Sequence, residues 1–392
     1  MAFLRRTPTR HLLALCAALF ALAAAGAALA IAGSGGPKPP DKPLSVAVRD
    51  ALNAPPVDGV TARVKFVNHL VSSSSFEGAG PILSGATGRM WATKDGRARL
   101  ELQSSAGDAQ LVSDGTTFWA YDGKSNTVYH GRLPRHRAEA GAGKADRPAT
   151  LKEVQDGLVK LAENWDVLGA SPTNLAGRPA YAARLQPKDG GGLLGAAAVA
   201  WDAANGVPLN VALYARGQGD PVLELQVTDV SFGPVSSGAF DVSPPKGAKR
   251  VAVSTPGADS AKPGEAKDAK PVTGLPAVRR RVGFDVAAPP SLAGLPRDEV
   301  RAPGADQAVV TYGKGLGTIV VLEQRAEPGA KGPHAGESAG GLNLPAVSIG
   351  GAPGRELDTA LGTAIQFERG GVQYTVLGSV APDTARAAAR AL

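Results

Sequence analysis

From Arg89 to Tyr129 the chain reads RMWATKDGRARLELQSSAGDAQLVSDGTTFWAYDGKSNTVY, short alternating segments broken by turn residues. Ala98, Leu100 and Leu102 alternate with Arg97, Arg99 and Glu101, so the strand they predict has one apolar and one charged face. The breaks fall at Lys94-Asp95-Gly96, Ala106-Gly107-Asp108, Asp114-Gly115 and Asp122-Gly123-Lys124-Ser125-Asn126. Asp-Gly, present at three of them, is a strong hairpin signal because glycine accepts the positive φ of tight primed turns. The stretch predicts an antiparallel meander of four strands with a wet and a dry side.

The flanking pattern extends this sheet. Leu44, Ala47, Val48, Ala51 and Leu52 recur at helical spacing, ended by Asn53 and the Pro55-Pro56 pair, and predict a short amphipathic helix. Val60, Ala62, Val64 and Phe66 alternate with Thr61, Arg63 and Lys65, a first strand. A further strand is expected after the Ser- and Gly-rich turn that follows. Beyond a basic, small-residue loop over 131–150, Leu151, Val154, Leu158 and Leu161 share one side of a second helix, with Thr150 as N-cap and Glu153 completing a capping box. The open side of the sheet is the expected place for it. Strands resume at 165–170, 178–186, 199–202, 208–214 and 222–232.

Residues 247–274 are rich in Ala, Lys, Pro, Asp, Gly and Ser and predict a disordered linker. A second unit follows, with strands expected at 282–286, 308–312, 318–322, 363–367 and 372–377 and a helix at 382–392. The fold class is α+β: a curved antiparallel sheet with helices over residues 37–246, and a smaller α+β domain over 275–392.

The N-terminus sets the compartment. Arg5, Arg6 and Arg10 precede an apolar run from Leu12 to about Ala32, long enough to cross a bilayer, with no positive charge soon after it. Residues 1–36 are therefore read as a signal or anchor segment with its tether, in which Gly33–Pro43 has nothing to bury. Length favours a single-pass anchor in the cytoplasmic membrane with the remainder outside. Ala28-Leu29-Ala30 offers the alternative, cleavage near Ala30 and secretion. Cys16, the only cysteine, lies inside the run without a lipobox around it, so the exported part has no disulfide and no cysteine metal site. The formal charge is +7, but 42 Lys and Arg are scattered among 35 acids without interleaved aromatics, which argues against nucleic acid as a partner.

No catalytic constellation is found. Gly336-Glu-Ser338-Ala-Gly340 matches the nucleophile-elbow pattern, yet it lacks a strand before it and a helix after it, and no histidine follows His334. Gly123-Lys124-Ser125 ends like a phosphate-binding loop, but Phe118 stands where the first glycine belongs. His11, His69, His130, His136 and His334 form no ligand pair at helical spacing, and Asp108 and Asp114 read as turn formers. The chain is read as a non-enzyme with no cofactor. What remains is an apolar surface: Trp91, Leu100, Leu102, Phe118, Trp119, Tyr121, Leu158, Trp201 and Val211 are the expected ligand-lining residues, on an under-filled concave face.

At this point the order of motifs resembles a family. Gly96-Arg-Ala-Arg-Leu-Glu-Leu102, Leu111-Val-Ser-Asp-Gly-Thr-Thr-Phe-Trp-Ala-Tyr-Asp122, Tyr181–Leu185, Val199-Ala-Trp-Asp with Asn205-Gly-Val-Pro208, and Val230-Ser-Phe-Gly-Pro ending in Phe240 and Pro244-Pro245 resemble the lipoprotein-carrier superfamily of LolA and LolB, with the RseB/MucB-type envelope-stress regulators. The resemblance covers roughly 44–250 and suits an actinobacterial-style, membrane-anchored member. It implies an unclosed β-barrel with a helical lid over a hydrophobic cavity, in which 151–163 is part of the lid and Arg97 or Arg99 lies near the latching residue. The C-terminal unit is similar to the second domain of the regulators. The implied partners are acyl chains of a lipid or lipoprotein at the cytoplasmic membrane or, in the alternative, an anti-sigma factor or other membrane protein.

Overall fold

A computed structural model of the chain describes residues 36–71, 85–133, 151–188, 191–253, 272–326 and 344–392. They fall into two compact units, the first within residues 1–69, 78–188 and 195–262, the second within 70–77, 189–194 and 263–392. The run Leu12–Ala32, the capping residue Thr150, His136 and the Ser338 motif lie outside the described residues. Among those described, no helix is long and apolar enough to cross a membrane.

The first unit is one 12-stranded sheet with two helices. Helix α1 is Leu44–Leu52; the strands are β1 Gly59–Asn68, β2 Ala86–Thr93, β3 Ala98–Ser104, β4 Gly107–Ser113, β5 Thr117–Asp122 and β6 Thr127–Arg132. Helix α2, Leu151–Ala162, precedes β7 Trp165–Leu175, β8 Arg178–Pro187, β9 Leu194–Asp202, β10 Pro208–Ala215, β11 Leu223–Phe232 and β12 Lys249–Ala252. In space the order is β12-β6-β5-β4-β3-β2-β1-β11-β10-β9-β8-β7, so β12 and β7 are free edges and the curved sheet is not closed into a barrel. Strand β12 runs parallel to β6; β1 is antiparallel to β2 and β11, β2 through β6 pair antiparallel in sequence, and so do β7 with β8, β8 with β9 and β10 with β11.

Five strands occupy the meander, one more than expected, because each turn signal both ends a strand and begins the next. Gly96 and Gly115 hold φ of +88° and +89°, as their turns require. The third Asp-Gly differs: Asn126 takes the positive φ of 45° there, and Gly123 is needed because a Cβ would lie 2.8 Å from the Asp108 carbonyl oxygen. Lys249–Ala252, within the stretch read as linker, pairs with Thr127–His130 as an edge strand.

Two-residue periodicity divides the sheet into a dry face and a wetter one, where Arg99 and Glu101 stand on the same side as the buried Val112, Val128 and Trp201. On the dry face Val60, Ala62, Val64, Leu102, Ala109, Leu175, Ala180, Ala182, Ala200, Leu209 and Val227 form one buried cluster. Strands pack tightly beneath it: a Cβ on Gly88 would lie 1.8 Å from the Glu101 carbonyl oxygen, so only glycine fits opposite Leu102. Residues one step out of phase on β8 and β9, Tyr181, Ala183 and Trp201, join Ala47 in a separate cluster against Leu44, Val48 and Ala51. Helix α1 therefore covers that other face of β7–β9, and α2 packs on α1 and β7. The helix pattern read from sequence holds, with Val154 buried and Leu158 half-buried on the inner side of α2 and Val159 exposed.

The second unit is a two-layer α+β fold. Its strands are β13 Val272–Thr273, β14 Ser291–Leu292, β15 Leu295–Ala302, β16 Gln307–Tyr312, β17 Ile319–Arg325, β18 Ala346–Ile349, β19 Ala352–Thr359, β20 Gly362–Arg369 and β21 Val372–Gly378; its helices are α3 Leu275–Val282 and α4 Pro382–Arg390. The strand expected at 282–286 is not formed. Leu275, Val278 and Val282 recur at helical spacing, Pro276 starts the first turn, and Gly283 ends the helix with a left-handed φ of 65°. Val278 and Val282 of α3 and Ala385, Ala388 and Ala389 of α4 share one core with Val310, Ile319, Val321, Ile365, Phe367 and Val376, so both helices cover the same face of the sheet.

One ionisable group sits in that core. Glu323 continues the inward series Ile319, Val321 and is fully buried, opposite Ala308 and Tyr374. The Ala287 N–H donates to its Oε2 at 2.9 Å, while Oε1, like the Tyr312 hydroxyl, has no hydrogen-bond partner among the described residues. Burial pushes the Glu323 carboxyl up to about 7.

Candidate functional site

The dry face of the first unit changes character along the sheet. Cross-strand register lines up Ala62, Met90, Leu100, Leu111, Ala120 and Tyr129 in one row from β1 to β6. Ala62 is buried, Met90 and Leu100 are half-buried, and Leu111 is 38% exposed. The row thus leaves the packed centre and becomes a half-buried apolar strip on β3–β6, where Ala120 and Tyr129 are also half-buried. Phe118 borders it, opposite Gly131, where a Cβ would lie 3.0 Å from the Phe118 ring; the glycine makes room for the aromatic side chain.

Of the residues expected to line a ligand site, the structure brings Leu100, Leu102 and Phe118 to this face, with Leu102 buried beneath the strip. Val211 is buried opposite Leu225, which packs against the same cluster. Trp91, Trp119 and Tyr121 belong to the opposite face, opposite Arg99, Val112 and Val128 respectively. Trp201 is buried with Tyr181, ring centroids 6.2 Å apart, under α1. Leu158 lies on the inner side of α2, and that helix, expected as a lid over the open side of the sheet, packs instead on α1 and β7, so Leu158 does not join the strip. Sequence reading singled out Tyr129 only as one of the sheet's aromatics and missed Met90, Leu111 and Ala120, although counting outward from Leu100 across each turn by register would have found them.

The wet face is held by the connection that follows β11. Arg99 Nη1 donates to the Ala239 carbonyl oxygen at 2.7 Å, its guanidinium lies 5.2 Å from the Trp91 ring centre, and it pairs with Glu101. The Arg97 guanidinium lies 5.0 Å from the Phe240 ring centre and its Nε is 2.9 Å from Asp95. Both arginines therefore fasten residues 239–240, the crossing segment between β11 and β12, whereas the resemblance implied a latch on the helix at 151–163. The cause is register: both side chains belong to the face opposite the strip.

The turn residues do structural work. Asp114 accepts from the backbone N–H groups of Thr116 and Thr117 at 2.7 and 2.6 Å and from the Thr117 hydroxyl, which holds its carboxyl well below the usual carboxylate range. Asp122 accepts from the Lys124 N–H and the Ser125 hydroxyl, so Gly123-Lys124-Ser125 is a capped turn between strands. Among the described residues no group of three or more His, Cys, Asp or Glu side chains is placed to hold a metal ion.

No protein-family model matches the chain, and no curated protein does. Among solved structures it is similar to a chain of the Pseudomonas aeruginosa MucA/MucB complex, at 18% identity over 88% of this chain and 94% of that one, with a TM-score of 0.40. It is similar to a putative outer membrane lipoprotein-sorting protein domain from Vibrio parahaemolyticus at 13% identity, covering 50% and 94% of the two chains, with a TM-score of 0.22. A LolA superfamily protein from Nitrosomonas europaea is 11% identical over 50% of this chain and 96% of that one, with a TM-score of 0.21.

Proposed function

We propose that the chain is a non-enzymatic extracytoplasmic binding protein, held at the cytoplasmic membrane by Leu12–Ala32, whose first unit lays acyl chains of a lipid or lipoprotein along the dry face of its sheet. The observation that supports this most is the row Met90, Leu100, Leu111, Ala120, Tyr129, which continues a buried core but is itself only half-buried, with Leu111 38% exposed. Each methylene covered there contributes about 0.8 kcal/mol, so a few contacts give useful affinity without any polar recognition.

The test is native mass spectrometry with lipid extraction on protein from an exporting host, followed by titration with a fluorescent fatty acid. Wild type is expected to carry lipid and to bind the probe; Leu111→Glu, placing a charge on the strip at an exposed position, is expected to weaken binding about tenfold or more, about 1.4 kcal/mol, with an unchanged melting temperature. A protein that carries no lipid and binds no probe, or a variant that binds as wild type does, refutes the reading. Protein docking would then take its place, with the exported segment of an anti-sigma factor as the ligand to try, since MucB has been solved in complex with MucA.

A further inference from the structure

The segment after the apolar run was expected to be a free tether, yet from Gly36 onward it is docked. Asn174, near the end of β7, donates from Nδ2 to the Pro37 carbonyl oxygen at 2.8 Å. The Tyr181 hydroxyl on β8 donates to the Pro40 carbonyl oxygen at 2.6 Å. Lys42 closes the path, 2.7 Å from Asp50 on α1 and 6.0 Å from the Tyr181 ring centre. Asn174 and Tyr181 are both 2% exposed, so these are built contacts. A Cβ on Gly36 would lie 2.6 Å from Asn174 Nδ2, which requires glycine where the chain meets the sheet. Pro37, Pro39, Pro40 and Pro43 restrict the unfolded chain, so few contacts suffice to hold the segment.

Four residue steps separate Ala32 from Gly36, a span of at most about 14 Å. The geometry points to a fixed placement: the docked segment Gly36–Lys42 holds the β7–β8 turn, Ala176-Gly177, at the lipid bilayer surface, with the strands running away from it. This rests on the reading of Leu12–Ala32 as a retained membrane anchor. The β9–β10 turn belongs to the same end, since Arg178 at the start of β8 pairs with Asp202 at the end of β9 at 2.7 Å. The β10–β11 connection with the exposed Asp220 lies at the other end of these neighbouring strands, a strand length of roughly 20–30 Å along them. The partner of this end of the fold is a bilayer, met through the tether alone: Lys38, Lys42 and Arg178 are offset there by Asp41, Asp50 and Asp202.

The full chain carrying Cys16→Ser, reconstituted in vesicles of phosphatidylcholine and phosphatidylglycerol, leaves no other cysteine, so a single label placed by Ala176→Cys or Asp220→Cys reports one site. With headgroup spin-labelled lipid, the label at 176 is expected to lose its fluorescence and the label at 220 to keep it. Adding Asn174→Ala and Tyr181→Phe, which release the segment, is expected to restore fluorescence at 176. Equal quenching at 176 and 220 with the segment intact, or no recovery on its release, overturns the placement. Flotation after alkaline washing separates the two readings: a chain that leaves the vesicles removes the anchor and the placement with it, whereas a chain that stays but shows equal quenching removes the placement alone.

Discussion

Replacing Glu323 by glutamine is expected to stabilise the second unit above neutral pH and to lose that advantage in acid. The carboxyl is fully buried between Ala308 and Tyr374, with one oxygen accepting from the Ala287 N–H and the other unpartnered among the described residues. Burial is the main cause of its raised pKa; Asp285 adds to it, and Arg279, itself 3.5 Å from Asp285, opposes it. The folded state therefore binds the proton more tightly than the unfolded chain. Stability from this group is complete below about pH 4.5 and is lost as pH rises through about 7. The interval from 4.5 to about 7, at about 1.4 kcal/mol per tenfold change, gives about 3 kcal/mol of lost stability at alkaline pH. Glutamine keeps an acceptor for the Ala287 N–H and carries no charge, so the variant lacks that loss. All four tryptophans, Trp91, Trp119, Trp165 and Trp201, lie in the first unit and would not report the event. Hydrogen exchange of peptides spanning β16, β17 and β21 does, with protection corrected for intrinsic rates. Parallel pH dependences of wild type and variant from about pH 5 to about pH 8.5 would refute the argument, because the linkage requires them to diverge.

Leu209→Ala, at a side chain 1% exposed in the central cluster of the first unit, is expected to cost about 2–5 kcal/mol, read as a lower urea midpoint by tryptophan fluorescence. A loss below about 1 kcal/mol would mean the dry face is not packed at that point. Arg386→Ala breaks the two-pronged contact of Arg386 with Glu356 at 2.6 and 2.7 Å and strands a carboxylate whose side chain is 7% exposed, an expected cost of about 3 kcal/mol seen as faster exchange in α4. Adding Glu356→Gln to that variant is expected to recover part of the loss, and no recovery would exclude the stranded charge as its cause.

Elements whose periodicity is local were legible in the chain. Helix α1 matches the span read from Leu44, Ala47, Val48, Ala51 and Leu52, and the alternation of Val60, Ala62 and Val64 places those residues on the dry face. The apolar face of β3 was legible for the same reason. Helix α3 was misread because Val282-Gly-Phe284-Asp-Val286 alternates like a strand, while the helical spacing of Leu275, Val278 and Val282 lies just before it and competes for the same valine. Glu323 sits at an inward position that the series Ile319, Val321 predicts, but a charged residue there reads as a break in the pattern.

The site was only half legible. Leu100, Leu102 and Phe118 were placed together because apolar alternation within a strand needs no partner. Trp91, Trp119 and Tyr121 were grouped with them as aromatics of one sheet, yet a strand's side chains take opposite faces at each step, and only the pairing register across β2–β6 assigns them to the face of Arg99. The docking of Pro37 and Pro40 on Asn174 and Tyr181, 137 and 141 residues distant, has no local signature at all. Backbone preferences and hydrophobic periodicity act over a few residues and are written in the chain. Which faces meet, and which polar groups are left buried among them, follows from contacts between distant segments that form only when the sheet does.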